Sequence, residues 1–145
     1  MRATRINLAQ SWQAKFLDCL LLVLCCDVAR AQVPEWIWHD PPSQVQPREV
    51  RFFRKTFALG FEAQRAELTA AGDDEITVFL NGRQVAHGTD WKKPLKLEVA
   101  GALREGTNTL AVRGRNGATD PAGMFVKLEV RSPNNSELFI VTDKS

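Results

Sequence analysis

Apolar and polar side chains alternate with a period of two over much of the second half of the chain. Ile76, Val78 and Leu80 are separated by one residue each, and Leu95 and Leu97 repeat that spacing. Successive side chains of a β-strand point to opposite faces of a sheet, so the pattern predicts strands with one buried and one solvated face. Similar strands are predicted at 48–59, 66–70, 110–112, 124–130 and 138–141, with a short one at 36–38.

Turn residues separate these strands. Asn81 and Gly82 both accept positive φ, as a two-residue hairpin turn requires, and Val85 begins the next extended run. Residues 106–108 and 132–135 have turn compositions as well. Seven or so short strands at this spacing predict an all-β fold, a β-sandwich, in preference to a barrel or a βαβ fold.

Four local features go beyond this pattern. Phe52 and Phe53 cannot both point inward on a regular pleat, so we expect a bulge there. Residues 71–74 are predicted to form a loop, and residues 63–70 are also compatible with a helix. Trp36 and Trp38 are two residues apart, so we expect both on one face of a strand and in the core.

The first 31 residues differ from the rest. Arg2, Arg5 and Lys15 precede a short apolar run at 20–26, and Ala29-Arg30-Ala31 has the small-x-small form of a signal peptidase site. The run is too short to span a bilayer, which needs about 20 apolar residues. We predict a secretory signal peptide over 1–31 and an exported, periplasmic or extracellular β-sandwich domain over 32–145.

Composition narrows the possible functions further. All three cysteines lie in the first 31 residues, so the predicted mature domain has neither disulfides nor thiolate metal sites. The same segment holds four of the 19 basic and two of the 17 acidic residues, which leaves 15 of each. A neutral domain without clustered cations and aromatics does not indicate nucleic-acid binding, and no membrane partner is expected.

Several motifs resemble one known family. They are the run Asp-Asp-Glu-Ile-Thr-Val-Phe-Leu-Asn-Gly at 73–82, Trp91 followed by Pro94, the pattern Leu-x-x-Gly-x-Asn-x-Leu-Ala-Val at 103–112 ending in Asn116, and the upstream segments 36–38 and 52–57. Together they resemble the galactose-binding-like jelly roll over residues 36–130. The pattern is most similar to the N-terminal β-sandwich domains of bacterial α-L-rhamnosidases, family 2 glycoside hydrolases and large secreted proteins. The resemblance implies a fragment of a larger multidomain protein, because further sequence typically follows such a segment.

Residues capable of catalysis are sparse. His39 and His87 have no metal-ligand spacing, and we expect both to be ordinary surface residues. The pairs that glycoside hydrolysis would need among Asp73, Asp90 and Asp120 are not excluded, but a small sandwich leaves little room for a deep cleft. We therefore predict no catalytic residues and no enzyme activity in this chain.

A calcium ion is the one cofactor considered. Asp73, Asp74 and Glu75 supply oxygen ligands of the type that calcium prefers, but they lack the ligand alternation of an EF-hand. We expect a polar loop that faces water, with a structural calcium ion as the alternative.

Sugar recognition accounts for more of the polar residues. A sugar ring stacks its apolar face on an aromatic side chain, while planar polar groups bind its hydroxyls. Asp90, Trp91, Arg115 and Asn116 provide these groups at predicted loops and strand ends, and His87 and Asp120 are possible additions. The alternative for Trp91 is a buried packing residue.

Two hypotheses of function follow. In the first, the chain is a carbohydrate-binding accessory module of an exported bacterial protein that degrades glycans. In the second, it is a structural spacer that contacts neighbouring domains and has no ligand of its own. An exposed Trp91 favours the first hypothesis and a buried Trp91 the second.

Overall fold

The computed structural model describes residues 32–38, 48–117 and 121–143, which belong to one compact unit, Gln32–Ser145. The predicted signal peptide, His39 and Asp120 lie outside the described residues. Within those residues, no helix is long and apolar enough to cross a membrane.

Eight strands and one turn of 3-10 helix follow each other along the described chain. The strands are β1 Val50–Leu59, β2 Arg65–Asp73, β3 Glu75–Leu80, β4 Arg83–Gly88, β5 Leu95–Glu98, β6 Gly106–Arg115, β7 Gly123–Arg131 and β8 Glu137–Val141, and the helical turn is Ala100–Ala102.

The strands form two four-stranded sheets, in which all paired strands are antiparallel. Sheet A has the order β5-β2-β7-β8, and sheet B has the order β1-β6-β3-β4. The edge strands are therefore β5 and β8 in sheet A and β1 and β4 in sheet B. This all-β architecture confirms the predicted two-layer sandwich.

The inner faces of the two sheets form the hydrophobic core, and the predicted alternation identified its main members. Side chains at every second position of the central strands are 0–6% exposed: Ala66, Leu68, Ala70, Ile76, Val78, Leu80, Leu110, Val112, Met124, Val126, Leu128 and Val130. The same strands place polar side chains on their outer faces.

The predicted hairpin between β3 and β4 is confirmed. Asn81 and Gly82 have φ values of 52° and 82°, the positive values that a type I′ turn requires. Asn81 also donates from Nδ2 to Oδ1 of the buried Asn108 at 2.8 Å. The turn is thereby joined to the start of β6.

Other local predictions were wrong. β1 pairs with β6 in an unbroken register through Phe52 and Phe53, so no bulge occurs there; Phe52 simply points outward. The register shift lies instead between Val78 and Phe79. The predicted strand at 66–70 is confirmed as part of β2, so the helical alternative for 63–70 is not adopted, and β2 continues through the predicted loop as far as Asp73 because it pairs with β7.

Candidate ligand-binding surface

One end of the sandwich collects the connections β2–β3, β4–β5 and β6–β7. The registers place Asp73 beside Gly123, Glu75 beside Arg115, and Ile76 beside Gly88. These pairs lie at the ends or starts of their strands. The loop that carries Asp90 and Trp91 and the chain after Arg115 therefore lie at the same end.

Trp36, Trp91 and Phe125 form a group of contacting rings, which we call the aromatic surface. The centroids of Trp36 and Trp91 are 6.5 Å apart with an interplanar angle of 84°, and those of Trp36 and Phe125 are 5.0 Å apart at 76°. Both geometries are the edge-to-face contacts that aromatic rings favour. Trp36 is 46% exposed and Trp91 45% exposed, so the two indoles keep accessible area.

Backbone pairing positions Trp36 on sheet A. Ile37 and Met124 exchange two backbone hydrogen bonds of 2.9 Å, and Glu35 N donates to Thr142 O at 2.8 Å. Gly123 makes room for the indole, because a Cβ atom there would lie 2.9 Å from Cε3 of Trp36. The entry segment thus continues sheet A beyond the end of β8.

Asp90 shapes the loop that presents Trp91. Its Oδ1 accepts a hydrogen bond from Lys92 N at 3.0 Å, and its Oδ2 lies 3.3 Å from Lys93 Nζ. The Lys92 ammonium lies 5.5 Å from the centroid of the Trp91 ring. Asp90 therefore orders the loop, while its carboxylate stays exposed at the surface.

Arg115 and Asn116 have different neighbours from Asp90 and Trp91. Arg115 Nη1 donates to Glu75 Oε2 at 3.3 Å on the outer face of sheet B. Asn116 is only 1% exposed, and its backbone N donates to Glu49 O at 2.9 Å. Of the four predicted sugar contacts, Asp90, Trp91 and Arg115 are exposed and the Asn116 side chain is enclosed.

The acidic loop between β2 and β3 is engaged with the protein. Asp74 Oδ2 accepts a hydrogen bond from Gly117 N at 2.6 Å, and Glu75 accepts from Arg113 and Arg115. Within the part of the chain that the structure describes, no group of three His, Cys, Asp or Glu side chains is arranged to hold a metal. The other candidate, His87, has its Nδ1 3.2 Å from Thr77 Oγ1.

The prediction that Trp36 and Trp38 share a buried face was wrong. Ile37 forms an isolated bridge with Met124, and one bridge does not extend the alternation of a strand to its neighbours. Trp38 is half-buried against Phe53, at a centroid distance of 6.2 Å. No local pattern around Trp36 indicates its exposure, because that exposure depends on pairing with distant β7.

A cleft of about 600 Å³ opens between edge strands β1 and β8. Its walls are mainly apolar, and Lys55 and Asp143 form an ion pair of 3.2 Å at its rim. Asp143 is the one acidic side chain among the described residues that line it. Glycoside hydrolysis ordinarily uses two facing carboxyl groups, which this cleft does not supply from those residues.

Comparison with known proteins relates the chain to sugar-acting and sugar-binding proteins. No protein-family model matches it. An α-L-rhamnosidase of Streptomyces avermitilis is 29% identical over 146 aligned positions, which cover 94% of this chain and 14% of the enzyme. The chain therefore spans about one seventh of the length of that relative.

Solved structures of sugar-acting and sugar-binding proteins are similar to this chain as well. The Streptomyces avermitilis α-L-rhamnosidase complexed with L-rhamnose has a TM-score of 0.69 at 29% identity, covering 76% of this chain and 11% of that one. A Pleurotus ostreatus lectin in complex with GalNAc has a TM-score of 0.68 at 29% identity, covering 77% and 34%. A family 78 rhamnosidase of Bacillus sp. GL1 has a TM-score of 0.64 at 26% identity, covering 77% and 13%. These likenesses confirm the predicted resemblance to the β-sandwich domains of α-L-rhamnosidases.

Proposed function

We propose that this chain is a non-catalytic carbohydrate-binding module of a larger exported protein that acts on glycans. The observation that carries the proposal is the exposed pair Trp36 and Trp91 at the loop end of the sandwich. The likeness to a lectin solved with GalNAc and to α-L-rhamnosidases supports a sugar as the ligand.

The geometry of the aromatic surface suits a sugar ring. A pyranose has an apolar C–H face and a rim of hydroxyl groups, so it combines stacking with hydrogen bonds at its edge. Trp36 and Trp91 stand nearly perpendicular to each other, and each is nearly half-exposed, so either indole offers accessible ring area on which a sugar could stack. The Asp90 carboxylate lies next to Trp91 in the loop and is placed to accept hydrogen bonds from sugar hydroxyls.

The proposed sugar contacts include one residue beyond those predicted from the sequence. We assign the stacking platform to Trp91 and add Trp36 to it, with Asp90 as a polar contact. Arg115 is half-exposed at the same end of the sandwich, but its guanidinium pairs with Glu75 on the outer face of sheet B, so we leave it out of the sugar contacts at the aromatic surface. Asn116 would act by holding the backbone beside Glu49, because its own side chain is enclosed.

The alternative function is a structural spacer with no ligand. The observation that favours it is the small share of the relative that the chain covers, 14% of the rhamnosidase. Both functions place catalysis in another domain, so neither assigns catalytic residues here.

Affinity electrophoresis against a panel of neutral plant and algal polysaccharides tests the sugar-binding function. The Trp91→Ala variant should bind about 1 to 3 kcal/mol more weakly, which is typical for the loss of one stacking ring. Its melting temperature should stay within a few degrees of wild type because the indole is half-exposed. Phe139→Ala is the control, since Phe139 is a partly exposed ring on edge strand β8 of sheet A, outside the loop that carries Trp91.

The spacer would be favoured if no neutral glycan retarded the wild-type protein. Equal weakening of binding by Trp91→Ala and Phe139→Ala would instead reject Trp91 as the stacking platform.

Export is a separate part of the proposal. The apolar run and the Ala29-Arg30-Ala31 site motivate cleavage after Ala31. Mass spectrometry of the exported protein should show Gln32 as the first residue, and an intact Met1 would contradict the proposal.

A further inference from the structure

The outer face of sheet B carries a row of unlike side chains across its four strands. The strand registers align Phe52 of β1 with Arg113 of β6, Arg113 with Thr77 of β3, and Thr77 with His87 of β4. Neighbouring strands are about 4.8 Å apart. An aromatic ring, a guanidinium, a hydroxyl and an imidazole therefore follow one another across the outer face of the sheet, and the Thr77 residue among them is only 6% exposed.

Phe52 is the most unusual member of this row. It is 76% exposed on edge strand β1, and its neighbour along the same face, Val50, is 37% exposed. Burying the Phe52 ring under a ligand would remove apolar area from water, which favours binding. The ring lies beside Arg113, so a single ring-shaped ligand can touch both.

The guanidinium groups beside Phe52 have donors to spare. Glu75 Oε1 accepts from Arg113 Nη1 at 2.5 Å, and Glu75 Oε2 accepts from Arg115 Nη1 at 3.3 Å. Each guanidinium has five N–H donors, so one carboxylate leaves most of them for other acceptors. The side chains of Arg113 and Arg115 are 32% and 44% exposed, which keeps those donors within reach of a ligand.

The charge of this face is unbalanced. Arg54, exposed on the outer side of β1 and aligned with Ala111, adds a third cation to Arg113 and Arg115, and Glu75 carries the one carboxylate in the described strands of sheet B. Guanidinium groups pair with planar or tetrahedral oxyanions through charge-assisted hydrogen bonds. The face is therefore complementary to a ring that carries carboxylate or sulfate groups.

We propose that the outer face of sheet B is a second glycan-binding surface, specific for anionic polysaccharides. Phe52 stacks on a sugar ring, while Arg54, Arg113 and Arg115 bind its carboxylate or sulfate oxygens. This surface is separate from the aromatic surface: Phe125 points outward from sheet A, and Phe52 points outward from sheet B. It therefore does not depend on neutral-sugar binding at Trp91.

The test is affinity electrophoresis in gels that contain dextran, dextran sulfate or polygalacturonate. Dextran and dextran sulfate differ in charge on the same backbone, and polygalacturonate distinguishes carboxylate from sulfate recognition. The wild-type protein should be retarded by at least one anionic polymer. Phe52→Ala should weaken that binding about tenfold, as expected for one lost stacking ring, and Trp91→Ala should leave it unchanged.

Two charge variants are expected to change binding to the anionic polymer in opposite directions. Arg54→Gln should weaken binding several-fold, whereas Glu75→Gln should strengthen it, because the latter frees two guanidinium groups from their carboxylate. Arg65→Gln is the matched control: it removes the same charge from an exposed position on β2 of sheet A. Thermal melts identify any variant that has lost its fold.

Three outcomes would overturn the proposal. One is equal weakening by Arg65→Gln and Arg54→Gln, which would indicate attraction without a site. Another is unchanged binding in Phe52→Ala. The last is that neither anionic polymer retards the wild-type protein. If Phe52→Ala then also alters self-association in sedimentation velocity, the face is a protein interface.

Discussion

Trp36 and Trp38 are two residues apart, and each packs on a glycine, yet they occupy different regions of the molecule. Trp36 contacts Gly123 of sheet A and is 46% exposed beside Trp91. Trp38 contacts Gly114 of sheet B, is half-buried, and donates from Nε1 to Glu49 Oε2 at 3.3 Å. The Trp36 indole is therefore part of the exposed surface, whereas the Trp38 indole covers the end of the core.

The difference shows that the pairing of the backbone, and not the residue type, decides what each indole does. Ile37 is joined to Met124 by two backbone hydrogen bonds, which hold the Trp36 side of the segment on sheet A. Beyond Ile37 the side chain of Trp38 reaches Gly114 and Phe53 of sheet B. Of the two indoles, Trp36 is therefore the one that belongs to the aromatic surface.

The largest expected effect comes from the core that supports both regions. Val78 is fully buried on the inner face of β3, so Val78→Asp would bury an unpaired carboxylate at a cost of several kcal/mol. That cost is comparable with the total stability of a small domain, and we expect the variant to be unfolded by circular dichroism at 25 °C. Lys96→Asp, at an exposed position, should melt like wild type.

Separate alanine variants of the two tryptophans test the comparison directly. Trp38→Ala leaves a cavity between Phe53 and Gly114 and should lower the free energy of unfolding by about 2 to 4 kcal/mol. Trp36→Ala removes a half-exposed ring and should cost about 1 kcal/mol. Urea denaturation measures both values, and equal losses would show that the two indoles are not in different environments.

The core was predictable from sequence because its signal is local. The alternation at Ile76, Val78 and Leu80 follows from the pleat of one strand, and Asn81-Gly82 specify their turn through φ alone. The absence of a bulge at Phe52 was not predictable in this way. It depends on the register with β6, which two adjacent phenylalanines do not reveal.

The candidate site was predictable only in part. Asp90 and Trp91 stand in a short loop between two recognisable strands, and Trp91 is exposed as the sugar hypothesis requires. Trp36 and Phe52 were not identified as surface residues, because their exposure results from contacts between segments far apart in sequence. Apolar residues alone do not indicate which face of an edge strand stays uncovered.

A smaller loss of stability is expected when the glycine beneath each indole is replaced by alanine. A Cβ atom at position 114 would lie 2.5 Å from Trp38 Cζ3, and one at position 123 would lie 2.9 Å from Trp36 Cε3. The half-buried Trp38 has less room to move, so Gly114→Ala should cost about 1 to 3 kcal/mol and Gly123→Ala less. Gly123→Ala should instead displace Trp36, which a change in tryptophan fluorescence with a nearly unchanged melt would report.

The smallest effect concerns Glu75 on the outer face of sheet B, and it depends on pH. Hydrogen bonds from Arg113, and to a lesser extent from Arg115, hold the pKa of Glu75 below its ordinary value, against the opposing effect of burial. A carboxylate whose pKa is lowered on folding stabilises the protein above its unfolded pKa, about 4.3, and loses that contribution as pH falls through the folded pKa. Glu75→Gln should therefore be about 1 kcal/mol less stable than wild type at pH 7, with the difference shrinking below about pH 4.3. Urea titrations of both proteins between pH 7 and pH 3 measure this difference in the free energy of unfolding. If the difference stayed constant with pH, the carboxylate charge would not act through the two arginines.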